Sequence, residues 1–99
     1  MPRTLALLCA LGLAPLAFAQ DNAARNLASA CAICHGTQGK PLPGAPLIPL
    51  AGLPADHIAA QMRSFRDGKR PASVMHQIAR GYSEQEIEAI ARWFAAQKR

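Results

Sequence analysis

The sequence predicts an all-α fold, a single small domain of about four helices. Three observations point there. Apolar residues recur every three or four positions in several separate segments. Glycine and proline punctuate the chain between those segments. No stretch alternates apolar and polar residues as a half-buried strand does.

Residues 1–19 read as a secretory leader to be cleaved. Arg3 gives the positive start, Leu5 to Phe18 is almost wholly apolar, and Ala17-Phe18-Ala19 is an A-x-A cleavage site. The apolar run is short for a membrane span of about 20 residues, and Gly12 and Pro15 interrupt it. Cys9 leaves with the leader, and Leu8 before it fits a lipidation site poorly. Residues 20–99 then form one exported domain, placed in the periplasm, with no stable membrane anchor.

A first helix is expected from Ala23 to Cys34, capped by Asp21 or Asn22 and stopped by Gly36. Leu27, Ala30, Cys31 and Cys34 recur along it at helical spacing. Residues 36–53 are rich in glycine and proline and read as an irregular loop. That loop is unusually apolar, and Leu42, Leu47, Ile48, Leu50 and Leu53 need a surface to bury against. A second helix runs from Pro54 or Ala55 to Asp67, with a stripe of Ile58, Met62 and Phe65 and Gly68 at its end. Lys69-Arg70-Pro71 breaks the chain, and a short helix is expected from Ala72 to Arg80 before Gly81. The last helix begins at Ser83, which forms a capping box with Glu86. Glu84, Glu86 and Glu88 suit its positive end, and Lys98 and Arg99 its negative end. Ile87, Ile90, Ala91 and Phe94 form the stripe to be buried, with Trp93 at its edge.

Chemistry concentrates in Cys31-Ala32-Ile33-Cys34-His35. C-x-x-C-H is the attachment pattern of a c-type haem. Two thiols three positions apart can form thioethers with the two vinyl groups of one porphyrin. The histidine that follows can lie under the iron as proximal ligand. Three other uses compete. A thioredoxin-type pair sits in a βαβ setting, which this chain lacks. A zinc site needs about four ligands, and neither a second C-x-x-C nor an H-x₃₋₅-H is present. A structural disulfide spans three helical positions awkwardly. The expected cofactor is therefore one covalently bound haem c, with Cys31 and Cys34 as its thioether residues and His35 on the iron.

The sixth iron position needs a second ligand for pure electron transfer, and methionine there raises the potential. Met75 lies forty positions after His35, beyond the break at residues 68–71, far enough along the chain to return to the opposite haem face. Met62 sits in the stripe of its helix and reads as core. His57 reads as a surface residue beside Asp56, and His76 is the rival ligand.

The chain carries 11 Lys+Arg against 6 Asp+Glu, a formal charge of +5. Leader cleavage removes one of these charges, Arg3. The balance is too modest, and aromatic residues too few, to suggest nucleic acid. A core this small is marginal without a staple, which a buried haem supplies; the haem-free chain is expected to be largely unfolded. Residues 63–80 hold Arg63, Arg66, Lys69, Arg70 and Arg80 against Asp67, which reads as an ordinary solvated face or as a candidate docking face for an acidic partner.

Four segments carry a family resemblance: Cys31-Ala32-Ile33-Cys34-His35-Gly36; Pro49-Leu50-Ala51-Gly52-Leu53-Pro54; Phe65-Arg66-Asp67-Gly68-Lys69-Arg70; and Met75 ahead of Ile78-Ala79-Arg80-Gly81-Tyr82-Ser83. Together they resemble the class I c-type cytochromes, in particular the small mono-haem proteins similar to the cytochrome subunit of flavocytochrome c sulfide dehydrogenase and single domains of di-haem relatives. The resemblance covers residues 24–97. It implies a cytochrome c-type fold in which the first and last helices cross beside the haem. It implies His35 and Met75 as axial ligands, and a proline carbonyl after the motif that accepts from the proximal histidine. Here the proline stands one position off the family pattern, so Pro49, Ile48 and Pro46 are all candidates. Tyr82 is a further candidate haem neighbour or core residue.

The expected function is that of a periplasmic mono-haem carrier of single electrons, not an enzyme, with no catalytic residues. Its partners would be redox proteins such as a flavoprotein dehydrogenase or a terminal oxidase. Two alternatives remain: a haem subunit docked on a sulfide dehydrogenase-like flavoprotein, and a ligand-binding haem sensor with an open iron.

Overall fold

The computed structural model describes Gly12 and residues 16–99, with side-chain surroundings from residue 22 onward. The expected leader, apart from Gly12 and Leu16 to Ala19, lies outside the described residues. The elements are α1 (Leu16–His35), a single 3₁₀ turn (Thr37–Gly39), α2 (Ala55–Arg66), α3 (Met75–Ala79) and α4 (Glu84–Ala95). No strand occurs among the described residues, as the all-α reading expects.

α1 starts earlier than expected and runs straight through Asp21 and Asn22, which therefore do not cap it. Alanine recurs throughout this stretch, and the strongest helix former outweighs two residues that favour caps. The helix ends as expected: Gly36 has φ 85, and a Cβ there would run into the Lys40 carbonyl. Left-handed backbone without a side chain is a glycine property. The loop is not wholly irregular, because Thr37–Gly39 forms its 3₁₀ turn with Gln38 at φ 57.

α2 starts one residue after Pro54, and Asp67 caps its end. α3 is shorter than the expected 72–80: Val74, at φ −141 and ψ −29, is the residue before the helix and is not itself helical, and only Met75 to Ala79 are helical. The ring of Pro71 and β-branched Val74 both resist helix in that stretch. α4 starts as expected but ends at Ala95, so Lys98 and Arg99, expected at its negative end, lie beyond it and Arg92 is the basic residue of its last turn. Ser83 accepts from the Glu86 backbone N–H at 3.2 Å, and the Ser83 N–H donates to the Glu86 carboxylate at 2.9 Å.

The helix α4 packs against both α1 and α2, and α2 packs against α3. The core consists of Ala28, Ile58, Ala59, Met62, Ala79, Ile87, Ile90, Ala91 and Phe94. Each helix thus contributes the apolar positions of one face. Ala28, Ala79 and Ala91 let the backbones approach, while Phe94, fully buried, fills the centre. Trp93 meets Phe94 edge-on, with ring centroids 5.0 Å apart at 84°. On the surface Glu84 is gripped by Arg63 at 2.5 Å and Arg66 at 2.9 Å, which ties α2 to the start of α4.

Candidate functional site

The last turns of α1 carry the candidate residues. Positions three apart on a helix lie on one face, so Cys31 and Cys34 are presented together. Both are free thiols; Cys31 is half-buried and Cys34 exposed. Cys31 packs against the core cluster. Burial pushes its thiol up from the ordinary value, and the neighbouring Cys34 adds to the shift. A redox-active C-x-x-C works by the opposite perturbation, a lowered thiol pKa. The zinc alternative also lacks support: among the described residues no group of three or more His, Cys, Asp or Glu side chains could hold a metal ion.

His35 is the last residue of α1, and its Nδ1 lies 2.8 Å from the carbonyl oxygen of Ile48. A carbonyl can only accept, so Nδ1 carries the proton and donates. The ring is then held in one orientation with its Nε2 lone pair free. That is the arrangement a metal-binding histidine needs, since the second nitrogen's hydrogen bond fixes the tautomer and raises ligand basicity. Of the three candidate carbonyls, Ile48 supplies the bond. Pro49 follows it, and a residue before proline is steered to extended backbone.

Three hydrogen bonds shape this loop around its ends. Gly39 O accepts from Leu50 N at 2.9 Å and Ala51 N at 3.2 Å, and Gly52 N donates to Phe94 O at 3.0 Å. Gly39 itself is buried, and a Cβ there would come 2.8 Å from the Phe94 ring. The loop's base is therefore seated on α4, and its tip is not. Leu50 and Leu53 pack against the core. Leu42 and Ile48 are 81% and 55% exposed, and Leu47 also stays exposed.

Met75 opens α3, half-buried, and packs on the same cluster as Cys31, Leu50, Leu53 and Tyr82. Tyr82 is close enough to Cys31 for a thiolate there to raise its phenol, although burial is the larger cause. Its packing against the core cluster is the core role expected of it. Met62 is buried in the core and His57 is exposed, as expected. His76 is half-buried, and its Nδ1 is enclosed with no hydrogen-bond partner.

These residues fit a haem. Paired thiols, a histidine with its ligating nitrogen free, and apolar side chains left uncovered on the facing loop are what a flat apolar macrocycle requires. The expected basic face, by contrast, is largely used up. Arg63 and Arg66 hold Glu84, and Arg70 stacks 4.7 Å over Phe65 and donates to Gln61. Lys69 and Arg80 are what remains exposed of it. Sequence reading found the cysteines and histidine through their spacing. It could not single out Ile48, because a backbone carbonyl leaves no mark in residue identity.

Comparison with known proteins agrees with this geometry. The family described as "Cytochrome C oxidase, cbb3-type, subunit III" matches residues 18–94. A cytochrome c4 from Pseudomonas aeruginosa is 40% identical over 95 residues, covering 93% of this chain and 46% of that protein. Cytochrome c-554(548) from Halomonas halodenitrificans is 36% identical over 72 residues, covering 69% of this chain and 84% of that protein. The cytochrome subunit of sulfide dehydrogenase from Chlorobaculum tepidum is 37% identical over 69 residues, covering 69% of this chain and 60% of the relative. The chain spans less than half the length of several curated relatives it matches. A family match over most of the chain, and a relative of similar length in c-554(548), establish that the chain belongs to the c-type cytochromes.

Proposed function

We propose that the chain is a periplasmic carrier of single electrons that holds one haem c through thioethers at Cys31 and Cys34, with His35 and Met75 as axial ligands. When bound, the haem supplies a one-electron Fe(III)/Fe(II) couple. The observation that carries the reading is the 2.8 Å bond from His35 Nδ1 to the Ile48 carbonyl. It orients the imidazole and leaves Nε2 as the nitrogen that can ligate. The thiols of Cys31 and Cys34 fix the cofactor to the same helix face. Met75 offers a thioether sulfur from α3, an element separate from α1. Leu50, Leu53, Tyr82 and Phe65 would keep water from the macrocycle, which favours a carrier over an open catalytic site. Export of the chain would follow from the leader at residues 1–19.

The test is the visible spectrum of the haem-loaded protein in both redox states. Met75→Ala abolishes the sulfur-to-iron charge-transfer band at the red end, while His76→Ala leaves it in place. A band that survives Met75→Ala overturns the assignment. Carbon monoxide binding to the reduced wild type at neutral pH would favour a ligand-binding haem protein instead.

A second reading deserves its own test because of relatives named "Thiosulfate dehydrogenase electron acceptor" and "Cytochrome subunit of sulfide dehydrogenase". In it the chain receives electrons from a dehydrogenase, as a docked subunit or a soluble acceptor. Co-purification with a flavoprotein from periplasm distinguishes a docked subunit from a free carrier.

A further inference from the structure

His76 follows Met75 in α3 and is half-buried. Its Nδ1 is enclosed by the fold and has no hydrogen-bond partner. A ring nitrogen taken out of water and left unpaired costs free energy, so buried polar atoms are nearly always bonded. The chain supplies no partner from its interior: no polar or charged residue is buried among the described residues. The segment around His76 also lacks negative charge. Residues 68–83 include Lys69, Arg70 and Arg80 and no Asp or Glu. The acids that flank the segment are engaged, Asp67 by Arg66 at 3.3 Å and Glu84 by Arg63 and Arg66. A carboxylate brought to this segment would meet donors and no competing acid.

We infer that His76 is a haem-binding residue whose Nδ1–H donates to a propionate carboxylate of the haem. The inference rests on the reading of Met75 as axial ligand. Neighbouring Cα atoms lie about 3.8 Å apart, so a Met75 sulfur on the iron brings His76 to the same macrocycle. The propionates are the haem's hydrogen-bonding groups, and an ionised acceptor makes the stronger bond. An enclosed water is the competing partner. It would need about 2–4 polar partners of its own, and the cluster on which Met75 packs is overwhelmingly apolar. The bond has a consequence at the iron. A propionate carboxylate favours Fe(III), the more positive state, and a donor that shares its charge weakens that preference. His76 therefore anchors the haem edge and raises the reduction potential.

The experiment uses the haem-loaded protein with isotope-labelled histidine and two variants. His76→Gln keeps a side-chain donor, and His76→Leu does not. In the reduced wild type the Nδ1 proton of His76 resists exchange with solvent and shows NMR contacts to propionate methylene protons. His76→Leu shifts the propionate bending band of the resonance Raman spectrum and lowers the reduction potential, and His76→Gln recovers most of both. The sulfur-to-iron band persists in both variants, so neither change comes from loss of Met75. A propionate band unmoved in His76→Leu, equal changes in the two variants, or Nδ1 proton contacts with water alone would each overturn the inference. The wild-type spectrum decides the question even where a variant does not fold. Failure of the axial-ligand reading shows differently, as absence of the sulfur-to-iron band from the wild type.

Discussion

The helical portion from Ala55 to Ala95 and the loop from Gly36 to Leu53 are both rich in apolar residues, yet only one satisfies them internally. Ile87, Ile90 and Phe94 of α4 are fully buried against Ile58 and Met62 of α2. Leu42, Leu47 and Ile48 of the loop stand exposed although they are no less apolar. The contrast separates surface that the chain buries for itself from surface shaped for something else. Ile48 belongs to the second kind, and its carbonyl is the one that holds His35.

The largest expected effect tests whether the first region is self-sufficient. The nine buried residues of the core cluster among the described residues make a small core, and domains of this size are marginal alone. The chain prepared without haem is expected to show no cooperative thermal transition by circular dichroism, while the haem-loaded protein shows one. A cooperative melt in the haem-free chain would mean that the helical portion stabilises itself and that the loop alone depends on the cofactor.

Next in size is Phe94→Ala in the haem-loaded protein. It empties the centre of the core and removes the ring on which Gly39 rests, costing about 3–5 kcal/mol by denaturant midpoint. Because Gly39 anchors the loop, hydrogen exchange should rise at Leu50 and Ala51 as well as in α4. Protection that falls in α4 alone would show the two regions to be uncoupled.

Pro49→Gly acts on the loop with little effect on the helices. It frees the backbone around Ile48 and costs about 0.4–1 kcal/mol through the unfolded chain. The sharper readout is the reduction potential, which should change as the His35 hydrogen bond loosens. A variant with altered stability and an unchanged potential would mean that Ile48 holds the histidine without help from Pro49.

The smallest effect lies on the helical surface. Hydrogen bonds from Arg66 and then Arg63 hold the Glu84 carboxyl below its ordinary value. A carboxylate with a depressed folded pKa stabilises above its unfolded pKa, and that contribution is lost as pH falls through the folded value. Glu84→Gln should therefore lower Tm slightly at neutral pH, and the gap from wild type should close on acidification. A gap that persists at low pH would assign the effect to packing instead of charge.

The two regions also differed in how far their sequence revealed them. The start and buried face of α4 were legible to the residue, because Ser83 and Glu86 form a local cap and Ile87, Ile90, Ala91 and Phe94 keep strict spacing. Both signals are local and reinforce each other. The start of α1 was misread because Asp21 and Asn22 look like caps, whereas the surrounding alanines carry the helix through them. α3 was overextended because the resistance of Pro71 and Val74 to helix was not weighed over residues 72–74. At the site, Cys31, Cys34 and His35 were legible from spacing. Ile48 was only one of three candidates for the carbonyl, and the seat of Gly39 under Phe94 was not foreseen, since each depends on how distant segments meet. The pairing within the basic cluster was not legible for the same reason: Glu84, distant in sequence, takes up two of its arginines.

The paired donation from Leu50 N–H and Ala51 N–H to the Gly39 carbonyl has an evolutionary corollary. It cinches the chain at the base of residues 40–49, as at the neck of an Ω-loop. Lengthening a loop already closed at its neck changes its entropy only slowly with length. The tip around Pro43 and Gly44 can therefore gain or lose residues without unseating the helices. Descendants of this chain are free to redraw the contour of that tip while inheriting the neck, and with it the fold, unchanged.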